Sequence, residues 1–146
     1  MRTLGIDLGT RRVGLALSDA GGKLATALEV LEISSPQQAA ERVMRIIDRE
    51  GVERIVVGLP LNMDDTIGPA AQQAASWGRN LSKNSGKPVV FVDERLSSFQ
   101  AEQDLSARRL GGEKLTHKRK KQRLDALAAA SFLQAFLDGK LFPVEI

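Results

Sequence analysis

The sequence contains no cysteine and no tyrosine, one histidine and one tryptophan, and aromatic residues make up 4% of its 146 positions. Without cysteine there is no disulfide scaffold, no thiolate zinc site and no cysteine nucleophile, and a single histidine excludes a multi-histidine metal centre within one chain. Any hydrolytic metal chemistry must therefore rest on carboxylates. So few aromatics give little support to base-stacking platforms, and Trp77 and the phenylalanines are expected in the core. No apolar run approaches the ~20 residues of a spanning helix, and Met1-Arg2-Thr3 leads into a strand-like stretch rather than a signal-peptide core. The expectation is a soluble, cytoplasmic protein with no membrane partner.

Hydrophobic residues at 42% and charged residues at 27% are those of a globular chain. Its length lies near the ~150 residues of one domain, so 1–146 is expected to fold as a single unit. The net charge of +3 is unevenly distributed. From Arg108 to Arg123 there are eight lysines and arginines against one acid, Glu113, and the remainder is mildly acidic. Such a block attracts polyanions through phosphate contacts and counterion release; alone, it could equally be a solvated surface run. His117, beside this block and with no acidic neighbour, reads as a surface or phosphate contact rather than a general base.

Periodicity predicts strands over Thr3 to Leu8, Val13 to Ser18 and Leu24 to Ile33 in an antiparallel meander. A helix follows over Gln37 to Glu50, stopped at Gly51. Arg54 to Leu59 and Val89 to Val92 have continuous apolar centres, as in strands covered on both faces. Ala70 to Leu81 reads as a helix with a small-residue face, Phe99 to Leu105 as a short helix, and Leu124 to Leu137 as an alanine-rich helix closed by Gly139. The order predicts an α/β fold, a mixed sheet of three antiparallel strands followed by strand-helix alternation, with helices on its faces.

Three acids interrupt these apolar elements. Asp7 lies inside the first strand between Gly5 and Gly9, where missing side chains admit a phosphate or another backbone; a turn cap or a pair with Arg11 or Arg12 is the plainer alternative. Asp93 and Glu94 end the last strand, and alternation sends their side chains to opposite faces, so one of them can share a site with Asp7. The longer Glu94 is the favoured partner, with Asp93 bracing the neighbouring turn; a helix-capping turn with Arg95 as counterion is the alternative. Asp125 precedes Ala128, Ala129 and Phe132 on an inward helical face, although an acid near a helix N-terminus is also common. Isolated acids without histidine or cysteine suit oxygen coordination of Mg²⁺ or Mn²⁺. Paired metals of this kind cleave phosphodiesters by activating water and stabilising the leaving oxygen.

Four stretches, Gly5 to Asp19, Val57 to Asp64, Val92 to Ser98 and Asp125 to Ala129, together resemble the YqgF (RuvX) family. Their order and spacing cover nearly the whole chain. The resemblance implies an RNase H-like fold related to Holliday-junction resolvases. It also implies a metal-dependent nuclease, of two-metal type, that trims the 5′ end of pre-16S ribosomal RNA in the bacterial cytoplasm. Asp7 then matches the first-strand metal ligand and catalytic acid, Glu94 or Asp93 the acid of the Asp-Glu-Arg motif, and Asp125 the acid of the last helix. Thr10, Arg11, Arg12, Asn62 and Arg95 are the expected substrate contacts, together with the basic run Lys118, Arg119, Lys120 and Lys121. Asp65 departs from the family, which usually has glycine there. The implied partners are structured RNA or branched DNA, and ribosomal particles, with the protein as monomer or homodimer. A branched-DNA resolvase and a non-catalytic RNA-binding assembly factor are the alternatives. Asp7-Leu8-Gly9-Thr10 also resembles the phosphate-binding opening of the sugar-kinase, actin and heat-shock ATPase superfamily, which closes a cleft between two such domains.

Overall fold

The computed structural model describes residues 1–95 and 117–146. Its elements are β1 (Thr3–Leu8), β2 (Arg12–Ser18), β3 (Ala25–Glu32), α1 (Pro36–Glu50), β4 (Arg54–Leu59), α2 (Pro69–Ser85), β5 (Val89–Asp93) and α3 (His117–Leu137). The five strands form one sheet in the order β3-β2-β1-β4-β5. β1 pairs antiparallel with β2, and β2 with β3, whereas β1–β4 and β4–β5 are parallel. This is the mixed α/β sheet expected from the sequence. Among the described residues no helix is long and apolar enough to cross a membrane.

The sheet has two differently furnished faces. Period-two alternation sends Leu4, Ile6, Val13, Leu15, Ile55 and Val57 to one side, where they pack with Val43, Ile46 and Ile47 of α1 and Ala74, Ala75 and Leu81 of α2. Burying such a side chain fully contributes about 1.5–3 kcal/mol each. The other face holds a smaller cluster, Ala16, Val56 and Val92 against Ala129, Phe132 and Leu133 of α3.

Local signals set most boundaries. Ser35 caps α1 by accepting a hydrogen bond from the Gln38 amide at 3.1 Å, Pro36 takes the first turn, and Gly51 ends the helix at φ 64°. Two helices are longer than expected. α2 continues past Leu81 through Ser82 to Ser85, because this polar turn still has backbone bonds to make until Gly86 closes it at φ 73°. α3 starts at His117 instead of Leu124, so the basic run is part of the helix rather than its lead-in. Lysine, arginine and glutamine are good helix formers but carry no apolar period that would announce the helix. The helix expected over Phe99 to Leu105 lies outside the described residues.

Candidate functional site

Asp7 stands opposite Gly14 across the β1–β2 ladder, and Gly5 opposite Ala16. Directly paired residues share a face, so Asp7 and the bare Gly14 both look towards α3. A Cβ on Gly14 would overlap the Asp125 carbonyl. That missing side chain lets the helix backbone settle on β2 and carries Asp125 to the same end of the sheet as Asp7. A second glycine does the same for Glu94. A Cβ on Gly58 would lie 2.8 Å from Glu94 Oε2 and 2.8 Å from the Phe132 ring. The space above β4 is thus filled by Glu94, reaching back from the end of β5.

The Asp7 and Glu94 carboxyls meet in a hydrogen bond, and burial is the main force raising the pKa of each. For Asp7, the Asp125 charge adds to the rise while the Glu94 bond opposes it. Glu94 is pushed up to about 9, by burial first and then by the Asp7 charge. Glu94 is therefore the proton donor of the pair at neutral pH. Among the described residues its buried Oε2 has no hydrogen-bond donor, a costly arrangement for an oxygen able to accept a proton or a cation. Asp125 takes a different partner: Arg12 Nε donates to its Oδ2 at 2.8 Å.

The neighbouring acid behaves differently. Asp93 accepts from Arg95 Nε at 3.0 and 3.1 Å and from its backbone amide at 3.0 Å, and these hydrogen bonds hold its pKa below the ordinary value. Arg95 also bonds the Asn62 carbonyl at 2.7 Å and Asp65 Oδ1. Asn62 in turn gives its side-chain amide to Thr66 Oγ1. Asn62, Asp65, Asp93 and Arg95 therefore form a brace between the β4–α2 loop and the end of β5, beside the Asp7 cluster rather than in it. Asp65 has φ 67°, a left-handed backbone that glycine adopts without strain.

Thr10, Arg11 and Arg12 line a cleft of about 290 Å³ with Asp7, Gly9 and Asp125. The same three residues continue into an adjoining cleft of about 600 Å³ that reaches Glu32, Ile33 and Ser34. The backbone of Lys118, Arg119, Lys120 and Lys121 lies on the first turns of α3, one to two turns ahead of Asp125. Among the described residues no three acids already converge as an ion-holding group, since Asp125 is turned to Arg12. The candidate ligand atoms, on Asp7, Glu94 and Asp125, are nonetheless all carboxyl oxygens, and Glu94 Oε2 has no hydrogen-bond donor among the described residues. This chemistry fits a hard cation such as Mg²⁺ or Mn²⁺.

Sequence reasoning missed Gly14, Gly58 and the Arg12–Asp125 pair. The two glycines did carry a signal, because glycine inside an apolar strand marks close approach of another group. Residues 12 and 125 are joined only by the fold.

The model of the family described as RuvX, Holliday junction resolvase, matches residues 1–139. A protein of Geobacillus thermodenitrificans named "Putative pre-16S rRNA nuclease" is 42% identical over 142 residues, covering 96% of this chain and 99% of that protein. One of the same name from Desulforudis audaxviator is 39% identical over 140 residues, covering 96% of each. Among solved structures, Thermus thermophilus RuvC in complex with a Holliday junction substrate superposes with a TM-score of 0.63 at 22% identity, covering 99% of both chains. The fowlpox virus resolvase bound to Holliday junction DNA gives 0.56 at 10% identity, covering 94% of this chain and 99% of that one. These two likenesses show that the chain shares the fold of those proteins. With its length matched almost from end to end, the chain belongs to the RuvX family.

Proposed function

We propose that this protein is a divalent-cation-dependent nuclease that hydrolyses phosphodiester bonds of structured RNA, in 5′-end processing of pre-16S ribosomal RNA in the bacterial cytoplasm. The observation that carries the reading is the proton-sharing Asp7–Glu94 pair, with a Glu94 oxygen that has no hydrogen-bond donor among the described residues, beside Asp125 in a cleft walled by Thr10, Arg11 and Arg12. The names of the relatives supply the substrate.

Asp7, Glu94 and Asp125 would hold Mg²⁺ or Mn²⁺. Bound there, the cation supplies an activated water and stabilises the leaving oxygen. The protein's own contributions follow from the geometry. Glu94 would hold the cation as a carboxylate, its shared proton passing to solvent water. Asp93 stays with Arg95 and fixes the end of β5, so that Glu94 remains aimed over Gly58. Thr10, Arg11 and Arg12 face the substrate phosphates, and the basic first turns of α3 draw the polyanion in.

A branched-DNA resolvase is the second reading, favoured by the description of the matching family. Both are tested with purified protein on a pre-16S leader RNA and on a four-way DNA junction, with and without Mg²⁺ or Mn²⁺. Cation-dependent cleavage of the RNA, lost in Asp7→Asn while binding persists, is expected. Cleavage of the junction alone would select the resolvase. Binding without cleavage of either substrate under any cation would make the protein a non-catalytic assembly factor.

A further inference from the structure

Arg12 opens β2 and shares a strand face with Gly14, the residue on which α3 rests. Its guanidinium and the Asp125 carboxylate are each 31% exposed and meet at 2.8 Å. Asp125 Oδ2 is thus committed to a protein cation at the rim of the cleft where the proposed function requires a metal ion. The Asp125 backbone is seated over Gly14, so the carboxylate can be re-aimed only by turning its side chain. Arginine cannot shed its charge. When Asp125 turns away, the guanidinium loses that partner while standing between two clefts that it already lines, next to Thr10 and Arg11. Its planar fork matches phosphate oxygens.

We propose that Arg12 is a placeholder for the cation: it holds Asp125 in the metal-free protein, yields it to a divalent ion, and is passed on to a phosphate of the nucleic acid. Cation binding and polyanion binding are then coupled, each strengthening the other by the same factor. The competing carboxylate is that of Glu32, which stands opposite Arg12 in the β2–β3 register. This inference rests on the carboxylate cluster being the cation site, as proposed above, and adds the exchange of partners at Arg12.

The test titrates Mn²⁺ alone into wild type, Arg12→Gln, Arg11→Gln and Asp7→Asn by calorimetry. It then measures anisotropy of a labelled RNA duplex on ice with and without Mn²⁺, the duplex being checked intact on a gel. Arg12→Gln should bind Mn²⁺ about 5-fold more tightly than wild type, at the lower end of ordinary coupling factors. Arg11→Gln, which removes the same charge from the same cleft without touching Asp125, should change it by less than about 2-fold on the same scale. Mn²⁺ should tighten RNA binding by wild type about 5-fold, and this gain should vanish in Arg12→Gln. Equal or weaker Mn²⁺ binding by Arg12→Gln, or equal effects of the two arginine variants, overturns the placeholder. An RNA gain that survives in Arg12→Gln also overturns it, since Arg12 then moves to Glu32 or nowhere. If wild type binds Mn²⁺ through Asp7 and only the Arg12 results fail, the nuclease reading stands without the exchange. If wild type binds no Mn²⁺, both fall. Arg12→Lys keeps the charge but not the fork, and gives an intermediate Mn²⁺ affinity if the placeholder is right and wild-type affinity if it is wrong. It decides the matter should Arg12→Gln not fold.

Discussion

On the α1–α2 side of the sheet, β1, β2 and β4 present Leu4, Ile6, Val13, Leu15, Ile55 and Val57, all with no exposed area. On the α3 side the same strands present Gly5, Asp7, Gly14, Ala16, Val56 and Gly58. One face is filled with branched aliphatic side chains; the other is notched, and α3 descends into the notches carrying Asp125. The period of two residues allows one strand to serve both purposes without compromise, since each substitution acts on one face only. The aliphatic face supplies stability, and the notched face gives up packing to admit carboxylates.

The sharpest way to break this comparison is a pair of substitutions, one on each face. Leu4→Ala should cost about 2–5 kcal/mol in denaturant unfolding and leave Mn²⁺ affinity per folded molecule unchanged. Gly14→Ala should cost about 1–3 kcal/mol through overpacking and weaken Mn²⁺ binding at least about 10-fold, roughly 1.4 kcal/mol, because α3 must move off β2. Equal effects of the two on Mn²⁺ affinity would erase the distinction between the faces.

The notched face should also carry a stability cost that depends on pH. Between its ordinary pKa of 4.5 and about 9, Glu94 keeps in the folded state a proton that the unfolded chain has lost. Folding takes up that proton, so stability falls as pH rises through this window. Glu94→Gln removes Glu94's share of the dependence and leaves that of Asp7, whose pKa burial also raises. The variant's stability to unfolding should match wild type near pH 4.5 and exceed it increasingly towards pH 9, while cation-dependent cleavage is lost. A constant offset at all pH values would mean that Glu94 is not held protonated.

Salt should act on the same side of the molecule. Changing Lys118, Arg119, Lys120 and Lys121 to glutamine should flatten the slope of log affinity against log salt by roughly 0.7–0.9 for each phosphate no longer neutralised, with little change in melting temperature. An unchanged slope would remove these first turns of α3 from the binding surface.

Asp65→Gly should have the smallest effect, within about 0.5 kcal/mol in either direction. Glycine relieves the left-handed backbone at φ 67° but forfeits an ion pair to Arg95 whose carboxylate is 80% exposed, and such pairs contribute little. A large loss would show that the brace depends on Asp65 rather than on Asp93.

Strand positions were legible because each core strand has a continuous or alternating apolar run bounded by turn residues. Asp7 is legible as an acid out of place, and strand alternation shows that only one of Asp93 and Glu94 can face it, while the choice of Glu94 rests on its longer side chain. The start of α3 was hidden because its first turns are basic and carry no apolar period. The partner of Arg12 was hidden because ion pairing between residues 12 and 125 depends on a helix landing on Gly14, and a glycine in a strand reports room without naming its occupant. Asp7 was expected to have Arg11 or Arg12 as its alternative partner; Arg12 instead bonds Asp125, and the hydrogen bond at Asp7 comes from Glu94.

The central claim is that Asp7, Glu94 and Asp125 hold one cation site on the notched face. Anomalous scattering from Mn²⁺-soaked crystals tests it most directly. The expected result is a peak within ligating distance of oxygens from all three, with Asp125 turned away from Arg12. A peak confined to Asp64, Asp65 or Asp93, or none at Mn²⁺ concentrations that support cleavage, would contradict it.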